Sequence, residues 1–180
     1  LINKDLEIKI IKRIIEPTLK ALKDRNDLYK GFLYAGLMIK NNNPYLIEYN
    51  VRMGDPECQT ILPLLKTDFL EIVSSCCNQK LAKQSIEWDK KKSMCIVLCS
   101  KGYPDKFEKK VEIKKLSKIV PDSDEYIFHA GTYVKNNKFF SDGGRVLNFV
   151  SISSSFSFFK NNALNKINKL NWPNGYYRSD

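Results

Sequence analysis

The sequence has little histidine and no paired spacing of cysteines. Among its 180 residues are one histidine, His129, and five cysteines, two of which, Cys76 and Cys77, are adjacent. A structural zinc site therefore has few ligands available, and an odd number of cysteines without paired spacing argues against a disulfide framework. We expect a protein of the reducing cytoplasm in which Cys95 and Cys99 are buried, inert thiols.

Long apolar runs are also absent. No stretch approaches the roughly 20 apolar residues of a membrane span, and the amino end lacks a signal-peptide pattern. We therefore expect a soluble protein with no membrane partner. The chain opens on Leu1 rather than Met and enters a helical pattern at once. This start predicts either a removed beginning or a part of a longer polypeptide.

Basic residues outnumber acidic ones, 30 to 20, for a formal charge of +10. Such an excess favours anionic partners in general: nucleotides, phosphorylated metabolites, nucleic acid or membrane surfaces. The densest basic stretch, Lys106–Lys118, is interpreted as a solvated surface. No recognition helix, zinc finger or aromatic RNA-binding signature is present, so we expect no nucleic-acid partner.

Apolar spacing predicts helices and a strand pair in the first half of the chain. The predicted elements are a helix over 3–24 bent at Pro17, strands over 30–40 and 45–52 joined by the Asn41–Pro44 turn, a short helix around 61–65, and a helix that Asp68 caps and that ends near Asn78. Residues 79–92 have the composition of an exposed connection.

The second half of the chain is predicted to be rich in short strands. These strands cover 93–100, 126–130, 132–135, 138–141 and 145–153, with Asn136–Asn137 as a hairpin turn. A last helix follows, with the apolar stripe Phe156, Phe159, Ala163, Ile167 and Leu170, and residues 171–180 are predicted as a loop.

One strand carries polar groups suited to a metal–phosphate site. Side chains alternate along a strand, so Glu48, Asn50 and Arg52 should share one face, while Ile47, Tyr49 and Val51 share a buried one. Glutamate and asparagine offer the hard oxygen ligands that magnesium prefers when it also binds phosphate. Glu-x-Asn alone is a weak signal, and a solvated strand face is the simpler alternative.

The residues that follow strengthen the functional interpretation. Arg52 can grip a carboxylate or phosphate with two hydrogen bonds, and Asp55 with Glu57 could hold an amine. Further along, Gly143-Gly144-Arg145 combines a backbone that can approach a ligand with a side chain that can hold its phosphate; a plain β-turn is the alternative. For His129, both a catalytic role and a packed, hydrogen-bonded role remain open.

Several motifs together carry a family resemblance. The relevant segments are 29–38, 46–59 and 62–65, then Gly102-Tyr103-Pro104, Phe128-His129-Ala130-Gly131-Thr132 and Gly143-Gly144-Arg145-Val146-Leu147. In this order they resemble the carboxyl-terminal half of the phosphoribosylamine–glycine ligase family, also called glycinamide ribonucleotide synthetases. Glu-x-Asn alone suggests only the wider ATP-grasp superfamily, whereas the Gly-Asp-Pro-Glu extension with His-Ala-Gly-Thr is more specific.

The resemblance implies an enzyme activity. Family members join glycine to 5-phosphoribosylamine, using ATP, to give glycinamide ribonucleotide in de novo purine biosynthesis through a glycyl phosphate. By likeness, Glu48 and Asn50 would bind magnesium, with manganese as the alternative ion. Arg52 would contact the substrate carboxylate or the transferring phosphoryl group, and Asp55 or Glu57 would orient the amine. Gly143, Gly144 and Arg145 would bind substrate.

The resemblance also implies a fold and a missing partner. We expect an α+β chain: residues 1–90 as the second half of an ATP-grasp domain, an antiparallel sheet with helices, and residues 91–180 as a small β-rich domain. The glycine-rich nucleotide loop of the family lies in an amino-terminal half that these residues do not contain, so 180 residues alone should be inactive. A non-catalytic interaction module and another ATP-grasp carboxylate–amine ligase remain alternatives.

Overall fold

The computed structural model describes residues 2–178, without the side chain of Phe159. Ser179 and Asp180 of the predicted terminal loop, and the position of the Phe159 side chain in the predicted stripe, lie outside this description. The chain forms two compact units. The amino-terminal unit runs to Gly54 and includes Thr67–Ile86, and the carboxyl-terminal unit contains Asp55–Lys66 and the chain from Glu87 onward.

The amino-terminal unit begins with the predicted helix, which changes pitch before Pro17. Helix α1 spans Lys4–Ile10, a π-helical segment spans Ile11–Ile15, and helix α2 spans Glu16–Asp24. Asn3 caps the start, because its side chain accepts a hydrogen bond from the Leu6 amide at 2.8 Å. Proline has no N–H to donate to the helical ladder, which accounts for an irregular turn at this place.

Two antiparallel strands follow, β1 at Tyr34–Lys40 and β2 at Asn43–Asn50. They are joined at Asn41 and Asn42, whose φ angles of 51° and 55° lie in the left-handed region that asparagine tolerates. The predicted hairpin is thus confirmed, although β1 begins four residues later than expected.

A β-bulge in β2 changes which side chains are buried. The pairing passes from Gly36 opposite Glu48 to Leu37 opposite Leu46, so Ile47 is an extra residue in its strand. Ile47 is 66% exposed, and Val51, beyond the end of β2, is 70% exposed. The predicted buried face is therefore wrong for both, because the bulge and the end of the strand interrupt the simple alternation.

Two short helices come next, one in each unit. Helix α3 spans Glu57–Ile61 and continues as a 3₁₀ turn at Leu62–Leu64, earlier than the helix predicted around 61–65. Helix α4 spans Phe69–Cys77 and belongs to the amino-terminal unit. As predicted, Asp68 caps α4: its Oδ1 accepts hydrogen bonds from the amides of Leu70 at 2.8 Å and Glu71 at 3.1 Å.

The carboxyl-terminal unit contains two antiparallel sheets. The larger has the strand order β5-β8-β3-β9 and the smaller has the order β4-β7-β6. Their strands are β3 at Lys92–Ser100, β4 at Val111–Glu112, β5 at Glu125–His129, β6 at Thr132–Lys135, β7 at Lys138–Ser141, β8 at Arg145–Ser153 and β9 at Gly175–Tyr176. Helix α5 covers Phe156–Ile167. Mixed helices and antiparallel sheets confirm the predicted α+β class.

The core of this unit lies between the larger sheet and α5. Its buried members are Ile96, Leu98, Ile113, Leu116, Val146, Leu147, Phe149, Ala163, Ile167 and Trp172. Ile113 and Leu116 belong to the basic stretch interpreted as solvated surface, and that interpretation is wrong for them. The lysines around them extend into solvent while the apolar side chains between enter the core. No helix within residues 2–178 combines the length and apolar character needed to cross a membrane.

The cap of α4 can be tested directly. Replacing Asp68 with alanine removes both hydrogen bonds to the first turn, so we expect the free energy of unfolding to fall by about 1 kcal/mol in urea titrations. Glu71→Ala is the matched control, because Glu71 contributes only its backbone amide to the cap. Equal stability of the Asp68→Ala variant and the wild type would contradict the assignment.

Candidate functional site

Glu48 and Asn50 lie together near the end of β2, in the amino-terminal unit. The Asn50 Nδ2 donates a hydrogen bond to Glu48 Oε1 at 2.9 Å. Gly36 is paired with Glu48 across the hairpin, and a Cβ at Gly36 would lie 3.1 Å from the Glu48 Cγ. A side chain at position 36 would therefore crowd the carboxylate, which itself is exposed to solvent.

Arg52 does not share the strand face with Glu48 and Asn50. Strand β2 ends at Asn50, and Arg52 lies in the bend that follows, where its Nη1 donates to the Met53 carbonyl at 3.1 Å. The expectation that one strand face presents all three groups is wrong for Arg52, because the alternation of side chains holds only while the strand continues.

The oxygen atoms of Glu48 and Asn50 suit a hard divalent cation. Magnesium is commonly held by one or two protein carboxylates together with phosphate oxygens and water, rather than by a complete protein cage. Within residues 2–178 no group of three or more His, Cys, Asp and Glu side chains converges in a metal-binding arrangement. The pair therefore fits an ion that obtains its remaining ligands from a bound phosphate.

Asp55 and Arg145 form the second cluster, within the carboxyl-terminal unit. The Arg145 Nη2 lies 3.1 Å from Asp55 Oδ2, and Nη1 donates to the Asp55 carbonyl at 2.7 Å. The other carboxylate oxygen, Oδ1, accepts a hydrogen bond from Gln59 Nε2 at 2.9 Å. Glu57, the first residue of helix α3, lies between Asp55 and Gln59 in the sequence. The arrangement fixes the Asp55 carboxylate just before α3, with the Arg145 guanidinium beside it.

Gly143 and Gly144 are packed closely against other parts of this unit. A Cβ at Gly143 would lie 2.9 Å from the Gly131 Cα, and a Cβ at Gly144 would lie 2.1 Å from the Tyr103 ring. The carbonyls of both glycines accept hydrogen bonds from Ser100 at 2.8 Å. Absence of a side chain here allows three segments to meet and places Arg145 at the start of β8.

His129 ends β5 as an exposed residue with two local contacts. Its Nδ1 is 2.8 Å from the Thr132 Oγ1, and its ring centroid is 5.3 Å from that of Phe139. The hydroxyl and the aromatic ring fix the orientation of the imidazole. Among the described residues, no hydrogen bond or ion pair joins the His129 side chain to Asp55 or Arg145.

The predicted site residues thus fall into two groups. Glu48 and Asn50 are joined in one unit, and Asp55 is joined to Arg145 in the other. Sequence reasoning missed Gln59, although it stands four residues after Asp55, the spacing at which side chains meet on one side of a helical turn.

Burial raises the pKa of two cysteine thiols near this cluster, Cys95 and Cys99. Burial raises the pKa of Cys95 to about 12, with a smaller contribution from the Asp55 carboxylate. Burial also raises the pKa of Cys99, and the Arg145 guanidinium partly opposes that rise. Both thiols are only partly buried, whereas Cys77 is exposed. At neutral pH the two thiols of β3 are protonated, in agreement with the expectation that they are inert.

Comparison with known proteins relates both units to one class of enzyme, the ATP-grasp ligases. The family model described as "Phosphoribosylglycinamide synthetase, ATP-grasp (A) domain" matches residues 1–58, and "Phosphoribosylglycinamide synthetase, C domain" matches residues 93–180. Together the two matches cover most of the chain. The chain belongs to the phosphoribosylamine–glycine ligase family and corresponds to its carboxyl-terminal part.

Individual relatives agree with this assignment. The phosphoribosylamine–glycine ligase of Fusobacterium nucleatum is 42% identical over 99% of this chain, which spans 42% of that protein. The trifunctional purine biosynthetic protein adenosine-3 of Gallus gallus is 38% identical over 99% of this chain and 18% of its own length. The chain therefore spans about two fifths of the length of the bacterial ligase.

Solved structures give the same result for the fold. The crystal structure of phosphoribosylamine–glycine ligase from Thermotoga maritima matches with a TM-score of 0.82 and 31% identity, over 100% of this chain and 44% of that one. A phosphoribosylglycinamide synthetase from Anaerococcus prevotii, at 14% identity, shares the fold with a TM-score of 0.62 over 95% of this chain and 42% of its own.

The raised pKa of Cys95 predicts its reactivity. A thiol with a pKa near 12 is almost entirely protonated at pH 8, and only the thiolate reacts with alkylating reagents. We expect iodoacetamide to label Cys77 at least about 100-fold faster than Cys95 in peptide-mapping mass spectrometry. Labelling in urea supplies the control, since unfolding should bring the two rates together. Equal rates in the folded protein would contradict the prediction.

Proposed function

We propose that this chain supplies the carboxyl-terminal part of a phosphoribosylamine–glycine ligase, an ATP-dependent enzyme of de novo purine biosynthesis. The observation that carries the proposal is that the oxygen pair Glu48–Asn50 and the Asp55–Arg145 cluster occur in a chain of this family. An amino-terminal part of the enzyme is the expected partner, with glycine, 5-phosphoribosylamine and ATP as small-molecule ligands.

The proposed reaction has two steps. An oxygen of the glycine carboxylate attacks the γ-phosphorus of ATP, the bond to the ADP oxygen breaks, and glycyl phosphate forms. The nitrogen of 5-phosphoribosylamine then attacks the carbonyl carbon, the bond to the phosphate oxygen breaks, and the nitrogen loses a proton as the amide forms. Such transfers depend mainly on positioning and on neutralising charge.

Glu48 and Asn50 would bind the divalent cation that accompanies ATP. When bound, magnesium neutralises negative charge on the phosphate oxygens. Magnesium is the proposed ion, with manganese as the alternative, because both accept the hard oxygen ligands that these residues offer.

The remaining roles follow from charge. Arg52, exposed in the bend after β2, would contact the glycine carboxylate or the transferring phosphoryl group. Asp55 or Glu57 would orient the attacking amine and receive its proton. Arg145, with Gly143 and Gly144, would hold the phosphate of 5-phosphoribosylamine, because a guanidinium has five N–H donors and Asp55 engages only two of its nitrogens.

We further propose that the chain contains parts of two domains. Residues 1–90 would complete the ATP-grasp domain, and residues 91–180 would form the small β-rich domain. We propose a cytoplasmic location for the enzyme and no nucleic-acid or membrane partner.

Reconstitution tests the proposed function. The purified chain is mixed with the amino-terminal part of the Fusobacterium nucleatum relative, and ADP release and glycinamide ribonucleotide are followed. We expect neither part alone to be active and the mixture to require glycine, 5-phosphoribosylamine and ATP together. ADP release supported equally by a different amino acid would instead favour another carboxylate–amine ligase, and no activity in the mixture would contradict the proposal.

Glu48 provides a sharper test of the metal site. Glu48→Gln keeps the shape but removes the charge, so we expect turnover in the reconstituted enzyme to fall by about 100-fold or more. Glu7→Gln is the matched control, because Glu7 is an exposed carboxylate in helix α1. In the chain alone, Mn²⁺ should broaden the amide NMR signals of β2 in the wild type and not in Glu48→Gln. Identical broadening in both proteins would exclude Glu48 as a ligand.

A further inference from the structure

Gln59 holds the Asp55 carboxylate from the side opposite Arg145. Its Nε2 donates to Asp55 Oδ1 at 2.9 Å, while the Arg145 Nη2 lies 3.1 Å from Oδ2. We propose that Gln59 is a positioning residue, which fixes the Asp55 carboxylate in the orientation that receives the substrate amine. This inference rests on the function proposed above and adds a residue to it.

The two partners of Asp55 restrict different motions. Arg145 contacts both the side chain and the main-chain carbonyl of Asp55, so it fixes the position of the residue. Rotation of the carboxylate about its last bond would still be possible with this contact alone. A second donor at the other oxygen prevents that rotation. Each carboxylate oxygen can accept more than one hydrogen bond, so a substrate N–H can still bind.

The chemistry of an amide suits this position. Only the nitrogen of a glutamine side chain can donate, and a carboxylate only accepts, so the Nε2 must face Asp55. Glutamate in its place would bring two negative charges together, and leucine would supply no donor. Gln59 leaves the charge of Asp55 unchanged and fixes the orientation of its carboxylate.

A purely structural role explains Gln59 less well. Its second polar atom, Oε1, is buried and has no hydrogen-bond partner among the described residues. Burying an unpaired carbonyl oxygen destabilises a folded protein. Leucine, of similar size and without that oxygen, should therefore leave the stability of the fold unchanged or higher. A side chain that lowers stability at its own position is typical of a functional site.

The test compares Gln59→Leu with Thr60→Val in the reconstituted enzyme. Thr60 is the next residue of α3 and is half-buried like Gln59, and its hydroxyl donates a hydrogen bond to the Pro56 carbonyl at 3.0 Å. We expect Gln59→Leu to raise the KM for 5-phosphoribosylamine about tenfold, as for loss of one charge-assisted hydrogen bond, with the KM for ATP unchanged. Thr60→Val should change neither constant, and the melting temperature of Gln59→Leu should not fall.

A double-mutant cycle separates positioning from folding. If Gln59 acts through Asp55, then Gln59→Leu should have no further effect on kcat/KM in an Asp55→Ala enzyme. Additive effects of the two substitutions would overturn the inference. So would a lowered melting temperature with an unchanged KM for 5-phosphoribosylamine, since that result marks a structural role.

The outcomes also distinguish the two proposals. A wild-type mixture that lacks ligase activity overturns the proposed function and this inference with it. An active wild type together with a Gln59→Leu enzyme of unchanged kinetics overturns this inference alone and leaves the proposed function in place.

Discussion

The contact between Arg145 and Asp55 joins two segments that are 90 residues apart in the sequence. One guanidinium binds both the carboxylate and the main-chain carbonyl of the same residue, so the turn before α3 is tied to the first residue of β8. Both side chains are about 40% exposed, with relative accessibilities of 39% and 41%. A half-exposed ion pair contributes at most about 1 kcal/mol to stability, so the value of this contact lies in orientation.

Close packing of glycines makes that contact possible. Gly131 and Gly143 bring two backbones together at a distance that no side chain would permit, and Gly144 lies against the Tyr103 ring. These contacts place the start of β8 so that the Arg145 side chain reaches Asp55. The motifs Gly-Tyr-Pro, His-Ala-Gly-Thr and Gly-Gly-Arg, separated in the sequence, therefore contribute to one structural junction.

The candidate metal site, unlike the Asp55–Arg145 contact, depends on local strand geometry. Its two oxygen-bearing side chains need only a short strand and a bare position opposite, which Gly36 supplies. Local alternation is sufficient to bring Glu48 and Asn50 together, and this pairing could be predicted from the sequence. Alternation could not predict the exposure of Ile47, because a bulge depends on how the partner strand pairs, nor the position of Arg52, because the strand ends first.

By itself the sequence determined the local features: the capped helix at Asp68, the asparagine turn of the hairpin, the antiparallel strands and the pairing of Glu48 with Asn50. Each depends on the conformational preferences of neighbouring residues or on spacing within a single element. Tertiary structure alone decided that Ile113 and Leu116 enter the core from a lysine-rich stretch, and that Arg145 reaches Asp55. Those contacts depend on which distant segments meet, and chain folding sets that geometry through packing rather than through any local pattern.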